Sequence, residues 1–324
     1  MNATKETTFL VTGALGCVGV WTLYHLLQRG EKVVSFDVSD DRHRLNLLLD
    51  EDEQEKITFV KGDLSDFSQV IEAFQSHNIT QVIHLAALQV PFCKADPVGG
   101  AQVNVVGTVN VFESARQMGL SHITYATSIA VYGPPELYPD ELIPNDAPFA
   151  PRTLYGVYKV ANEGTADVYW RDHQISSIAL RPYTIYGPGR DQGMTSGPTV
   201  AMLAAAAGKP FHIAFGGAAQ FHYASDVALQ FIEAALHQVN GAFGYNLGTK
   251  PAKIEDIVAM IQAVKPDAQT TFDDLSLPFP DCDDREYRRQ PFYVKEIPLE
   301  DGVRKTIEHF ETCLNDGRIQ WEDQ

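Results

Sequence analysis

The apolar run Thr8-Phe9-Leu10-Val11 leads straight into Thr12-Gly13-Ala14-Leu15-Gly16-Cys17-Val18-Gly19, and then into a helical pattern that reaches Gln28. Few local patterns restrict a fold as tightly. Gly13 lets a strand end in a sharp turn, because a residue without Cβ tolerates positive φ. Gly16 allows the backbone to come close to a pyrophosphate, and Gly19 lets the helix pack against the sheet. The helix then directs its first amides and its positive dipole end at the anion, which places Cys17 and Val18 with the glycines as binding positions. A second apolar run, Lys32-Val33-Val34-Ser35-Phe36, ends on Asp37. An acid about 20 residues beyond the glycines is where an adenosine ribose is bound. In this context the glycine triplet predicts a dinucleotide site.

The rest of the chain repeats the alternation. Apolar strands are predicted at 8–11, 32–36, 57–60, 81–85, 122–126 and 176–180, with helices at 18–29, 67–77, 99–118 and 153–173 between them. Short, β-branched, near-continuous apolar strands suit a parallel sheet buried on both faces. The α/β alternation implies a doubly wound Rossmann sheet, with ligands bound beyond the carboxyl ends of its strands. Regularity fades after about residue 182. The expectation is a dinucleotide-binding domain over 1–182 and a smaller, mainly substrate-binding lobe over 183–324. Part of that lobe, near 220–245, would return to the core. Helices are predicted at 200–207, 225–237, 254–264 and 298–313, and strands at 211–214 and 243–247. The Asp/Pro-rich stretch 272–284 reads as irregular, and Asp50-Glu51-Asp52-Glu53 as a solvated loop.

Composition removes several function classes. The 324 residues carry 42 acids against 25 bases, a net charge of −17, which disfavours a nucleic-acid or anionic-membrane partner. Cys17, Cys93, Cys282 and Cys313 are scattered, without the spacing of a zinc site or a disulfide frame, and read as reduced thiols of a cytoplasmic protein. Met1–Glu6 show no secretory signal pattern. No apolar run is long enough to span a bilayer, and no His/Asp/Glu spacing suggests a metal.

Two constellations carry chemistry. Tyr155 and Lys159 are four residues apart and share a helix face. An ammonium beside a phenol favours phenolate, which suits a proton acceptor for an alcohol under oxidation. Ser128, in Ala126-Thr127-Ser128-Ile129-Ala130-Val131-Tyr132-Gly133, stands at a strand's carboxyl end and can hold the same oxygen. His84 lies within a buried strand pattern and reads as a core residue.

With these residues in order, the chain resembles the extended short-chain dehydrogenase/reductases, the NAD-dependent epimerase/dehydratase family. The resemblance also takes in Gly62-Asp63-Leu64, His84-Leu85-Ala86-Ala87, Asn104-Val105-Val106-Gly107-Thr108, Arg181-Pro182, Tyr186-Gly187-Pro188 and Leu299–Lys305. It implies an enzyme with NAD as cofactor. Asp63 and Leu64 would line the adenine pocket, and Ala86, Ala87 and Pro182 would lie along the cofactor. Lys159 would also hold the nicotinamide ribose. Tyr155 would be the general base, with Ser128 as its partner. Asn104 matches a helix position tied to a proton relay, and would serve equally as a capping or core residue. Asp37 favours NAD over a 2′-phosphorylated cofactor, although Arg42 and Arg44 are near in sequence. A homodimer paired through helices 99–118 and 153–173 is implied as well.

The departures from the family pattern narrow the reaction. Ile129 and Ala130 follow Ser128 where dehydratases carry an acid, so simple hydride chemistry is favoured over elimination. Thr184 replaces an Asn that contacts the diphosphate of nucleotide sugars, and Phe215–Tyr223 lacks a phosphate-binding Arg, for which Arg285, Arg288 and Arg289 are possible substitutes. Arg152–Val157 resembles the threonine dehydrogenases of the family, and Gly193–Thr199 stands where their glycine- and threonine-rich substrate loop lies. Thr184, Thr195, Ser196 and His222 are therefore the substrate candidates. The expected activity is NAD-dependent oxidation of a secondary alcohol on a small polar molecule: a sugar, sugar acid or hydroxy acid. The alternatives are a sugar or nucleotide-sugar epimerase that uses NAD transiently, then a dehydratase, or a non-catalytic NAD-binding protein.

Overall fold

The computed structural model describes residues 7–321; Met1–Glu6, read above as lacking a signal, lie outside them. The strands are β1 (Thr8–Thr12), β2 (Lys32–Asp37), β3 (Thr58–Lys61), β4 (Gln81–His84), β5 (His122–Ala126), β6 (Ser176–Arg181), β7 (Thr184–Tyr186), β8 (Phe211–Ile213), β9 (Ala218–Ala219), β10 (Phe221–Tyr223), β11 (Ala242–Asn246), β12 (Ala252–Lys253) and β13 (Thr270–Phe272). The helices are α1 (Cys17–Gln28), α2 (Glu51–Gln54), α3 (Phe67–His77), α4 (Val90–Ala95), α5 (Pro97–Ala101), α6 (Gly107–Gln117), α7 (Leu154–His173), α8 (Gly197–Ala206), α9 (Ala224–Leu236), α10 (Ile254–Val264), α11 (Arg285–Arg288) and α12 (Leu299–Asn315).

Seven strands form a parallel sheet in the order β11-β6-β5-β4-β1-β2-β3. Strand order reverses between β1 and β4, which opens a crevice beyond their carboxyl ends. The apolar runs are continuous because both faces are covered. Phe9 and Val11 pack with Leu23, Ile178 and Phe231 on the face of α1 and α9. Leu10, from the same strand, joins Phe74, Phe112 and Ile123 on the face of α3 and α6. A strand of period two between two helical layers produces this alternation. The later segments build a second core in which Met202, Ile257, Ile261, Val303, Ile307 and Phe310 of α8, α10 and α12 meet. From the same part of the chain, α9 and β11 rejoin the main sheet.

Three segments differ from the sequence expectation. The helix predicted over 99–118 is instead α5, capped by Asp96, a π-helical turn at Gln102–Val106, and α6. The acid run is no loop: Asp50 and Glu53 form a reciprocal capping box that starts α2. In 272–284, the first residue ends β13, paired to β8, and bridges tie Ser276 to Gly216 and Cys282 to Ile143. Among the described residues no helix is long and apolar enough to cross a membrane, and no cluster of His, Cys, Asp or Glu could hold a metal ion.

Candidate active site

The carboxyl ends of β1 through β6 open on one cleft of about 650 Å³. Its floor is the glycine loop. Gly13 has φ +65°, and a Cβ there would lie 2.6 Å from the Cα of Ala86; a Cβ on Gly19 would lie 2.3 Å from the carbonyl oxygen of Gly13. Both contacts exclude a side chain. No side chain caps α1 and no acid stands in its first turn, so its amides face the cleft as an anion cradle. Burial pushes the Cys17 thiol up to about 11, which keeps it un-ionised. Asp37 Oδ2 accepts from the Leu15 amide at 2.9 Å and Oδ1 from Ser39 at 3.0 Å. Arg42 stacks over Phe59, 3.7 Å from the ring centroid. Arg44 is held by Asp191, with Nη2 2.7 Å from Oδ1. Arg44 is thus committed to Asp191, and the Asp37 carboxylate would repel a 2′-phosphate. The donors, the close backbone approach and the acid all fit NAD.

The candidate residues Gly13, Gly16, Cys17, Val18, Gly19, Asp37, Asp63, Leu64, Ala86, Ala87, Ser128, Tyr155, Lys159, Pro182 and Thr195 all line this cleft. Asn104 does not. It sits buried in the π-helical turn, accepts from the Leu88 amide at 2.7 Å and donates to the Leu88 carbonyl at 2.9 Å. It therefore pins the turn after β4 that carries Ala86 and Ala87. Three substrate candidates also stand outside the lining. Thr184 is buried in β7, where it pairs with Phe221. Ser196 donates to the Gly193 carbonyl at 3.0 Å. His222 is fully buried, with Nδ1 2.7 Å from Glu296 Oε1. Arg285 and Arg288 are paired to Asp283 and Asp284, and neither they nor Arg289 reach the cleft. His84 is a core residue, bridged to Thr12 at 2.6 Å and Thr108 at 3.0 Å.

At the catalytic end, Thr153 caps α7 by accepting from Gly156 at 3.0 Å, which sets Tyr155 in the first turn. Lys159 and Tyr155 face each other, as their spacing predicts. Lys159 Nζ donates to the last carbonyl of β5, Ala126, at 2.6 Å and lies 5.6 Å from the Tyr155 ring centroid. Burial pulls its own pKa down to about 8. Burial likewise pushes Tyr155 up to about 12, against opposing effects of its hydrogen bond with Ser128 and of the Arg190 charge. Ser128 and Arg190 thus join Lys159 as groups beside the phenol that favour its ionised form.

Arg190 was not legible as a site residue, because it follows a Gly-Pro-Gly turn that reads only as loop. Gln89, Met194 and Phe279 also line the cleft unforeseen. Phe279 comes from the irregular stretch, where its carbonyl accepts from Tyr183 Oη at 2.9 Å. A further link joins the loop after β2 to the loop after β7. Asp191 takes Arg44 and, at 2.7 Å, His43 Nε2, whose Nδ1 meets Asp41 at 2.8 Å; Arg44 also reaches the Leu15 carbonyl.

The model of the NAD dependent epimerase/dehydratase family matches residues 9–248. A UDP-glucose 4-epimerase of Mycolicibacterium smegmatis is 30% identical over 315 residues, 93% of this chain and 97% of its own length. The crystal structure of the Thermus thermophilus UDP-glucose 4-epimerase complex with NAD is similar at a TM-score of 0.81 and 24% identity, covering 94% of this chain and 99% of that one. The holo form of a GalE-like L-threonine dehydrogenase from Cupriavidus necator has a TM-score of 0.81 at 23% identity, covering 93% and 99%. At these identities the two structures establish likeness of fold.

Proposed function

The chain belongs to the NAD-dependent epimerase/dehydratase family and is an enzyme with NAD as its cofactor, and from that premise we propose that it oxidises a secondary alcohol of a small polar substrate, a sugar, sugar acid or hydroxy acid. One observation carries the choice of a small substrate. Among the described residues lining the cleft, only Phe231 and Phe279 come from beyond Thr195, and neither is basic. Arg190 is thus the one lobe cation among the described lining residues, and the chain beyond Thr195 adds no second one to hold a nucleotide diphosphate.

In this reading the glycine loop and the first turn of α1 hold the cofactor's pyrophosphate, Asp37 its adenosine ribose, Asp63 and Leu64 its adenine. Ala86, Ala87 and Pro182 flank it, and Lys159 binds the second ribose. NAD bound there supplies the hydride acceptor. Ser128 positions the substrate hydroxyl, and Tyr155 takes its proton. No residue adjoining Ser128 can move a second proton, since Ile129 and Ala130 are apolar and buried, so the reaction stops at the ketone. A panel of free sugars, hydroxy acids and nucleotide sugars, followed by absorbance of reduced cofactor, tests this. One class of free substrate should accumulate NADH stoichiometrically, and Tyr155→Phe should lower the rate by about 10²–10⁴-fold. An unchanged rate in that variant refutes the assignment.

The likeness to UDP-glucose 4-epimerases favours a second reading, in which the hydride returns to the substrate's other face. Turnover of a nucleotide sugar without net NADH would establish it in place of the first. We also infer a homodimer. It is supported by an apolar stripe on α7 with Leu154, Val157 and Val168 exposed and Ala161 half-buried between them, and by Val98 and Val106 exposed on adjoining segments.

A further inference from the structure

We infer that Arg190 anchors a carboxylate of the substrate, so that the molecule oxidised is a hydroxy acid and not a neutral sugar or alcohol. This rests on the dehydrogenase reading above and narrows it.

Arg181 is buried and Arg190 is half-buried in the cleft wall, with its Nε out of water, and the two are treated differently. Arg181 is paired with Glu163, Nε to Oε1 at 2.9 Å, and also donates to Tyr132, Asn145 and Asn246. Arg190 has neutral company only. Its Nη2 donates to Thr195 Oγ1 at 3.0 Å and its Nη1 approaches Gln89 Oε1 at 3.4 Å, while its buried Nε has no partner among the described residues. The adjacent carboxylate, Asp191, is committed to Arg44 and His43. A guanidinium stays charged at any pH a protein survives, and a charge withdrawn from water without a counter-ion is costly. Burial indeed weighs against the charged form here. Thr195 and Gln89 orient the fork but do not neutralise it. The unfilled donor therefore calls for an anion, and two oxygens on one carbon match the fork's geometry.

Under the dehydrogenase reading two anions can enter this cleft, the cofactor's diphosphate and a substrate acid. The diphosphate already has the α1 amides as its cradle. Arg190 bonds instead to Thr195 and Gln89, outside that cradle, and its charge acts both on the Cys17 thiol of the cradle and on the Tyr155 phenol. A hydroxy acid held at one end by Arg190 would present its hydroxyl to Ser128 and Tyr155.

The test uses NADH-loaded protein titrated calorimetrically with malonate and with its neutral counterpart malonamide, in the native chain, Arg190→Gln and Arg190→Lys, with the melting temperature of each variant confirming its fold. Malonate should bind the native protein in clear preference to malonamide. Arg190→Gln should weaken malonate by at least about thirtyfold, as for loss of one partner of a buried charged pair, and Arg190→Lys should fall between, because it keeps charge but not the fork. Equal binding of the two probes, or a preference that survives Arg190→Gln, overturns the inference. So does a loss confined to NADH affinity, which would assign Arg190 to the diphosphate. The substrate panel separates the two claims. NADH formed from neutral sugars but not from acids rejects the carboxylate and leaves the dehydrogenase standing. Nucleotide-sugar turnover without NADH rejects the dehydrogenase, and the malonate titration still decides what Arg190 holds.

Discussion

Tyr155 is the residue on which the proposed chemistry turns, and its surroundings make a definite pH dependence. Burial holds the phenol near 12, while the Ser128 hydrogen bond and the Arg190 charge act to lower it. A base must lose its proton before it can take one, so kcat/KM for oxidation should climb with pH across the alkaline range. Ser128→Ala removes one of the lowering influences and should displace that climb to higher pH while reducing the rate. A pH–rate profile measures both; an unmoved limb in Ser128→Ala means that another group is titrating. Residues of this kind were legible to the extent that they sit at fixed offsets from a strand end or along a helix face. Gly13, Ser128, Tyr155 and Lys159 have such offsets. Arg190 and Phe279 do not, because each reaches the cleft from a loop whose course is set by packing elsewhere. His222 and Thr184 show the converse. Matched by position alone, they lie in a second buried strand pair whose side chains serve the lobe's core.

Among the elements, α7 does two jobs. Its first turn carries Tyr155, and its outer face carries a stripe at 154, 157, 161, 164 and 168, the spacing of one helix side. Gly164 is exposed in the middle of that stripe, and a Cβ there would meet nothing within 4 Å. A glycine in a helix interior costs about 1 kcal/mol against alanine, and no neighbour among the described residues requires it. Close approach of a second α7 would. In the homodimer inferred above, Val157→Glu should therefore favour the monomer, read by light scattering, and a native protein that is already monomeric removes the claim. The sheet strands were readable because burial on both faces leaves continuous apolar runs. The break between α5 and α6 was not, since the π-helical turn at Gln102–Val106 accompanies a long-range bond from Asn104 to Leu88. Such a contact leaves no trace in the helix's own periodicity.

For the molecule as a whole, buried histidines govern acid stability. Burial pulls His84 down to about 3, and His25 and His122 to about 4, so all three stay neutral in the folded protein while the unfolded chain protonates them near 6.5. Below that pH the unfolded state binds more protons. Stability from these groups is complete above about 6.5 and is lost as pH falls toward 4, at about 1.4 kcal/mol per pH unit for each proton. Burial also lowers His309, which adds to the three, while Asp226, raised to about 6, and Asp281 and Asp284, raised likewise, act in the opposite sense over the lower part of that interval. The melting temperature should fall steadily from pH 6.5 to 5, and a flat profile there contradicts the account.

The bridge from Arg44 and His43 to Asp191 bears on traffic through the cleft. It ties a loop on the adenosine side of the sheet to the loop that carries Arg190, beside the Leu15 carbonyl. His43, Arg44 and Asp191 all line the cleft that would hold the dinucleotide, so a cofactor exchanged between turnovers would come and go beside this bridge. Because Asp191 is partly exposed to solvent, dissolved ions can loosen its hold. A redox enzyme must discharge its spent carrier after every cycle, whereas one that recycles its hydride internally never needs to. The tightness of this one ionic knot thus bears directly on which of the two ways of life the protein can lead.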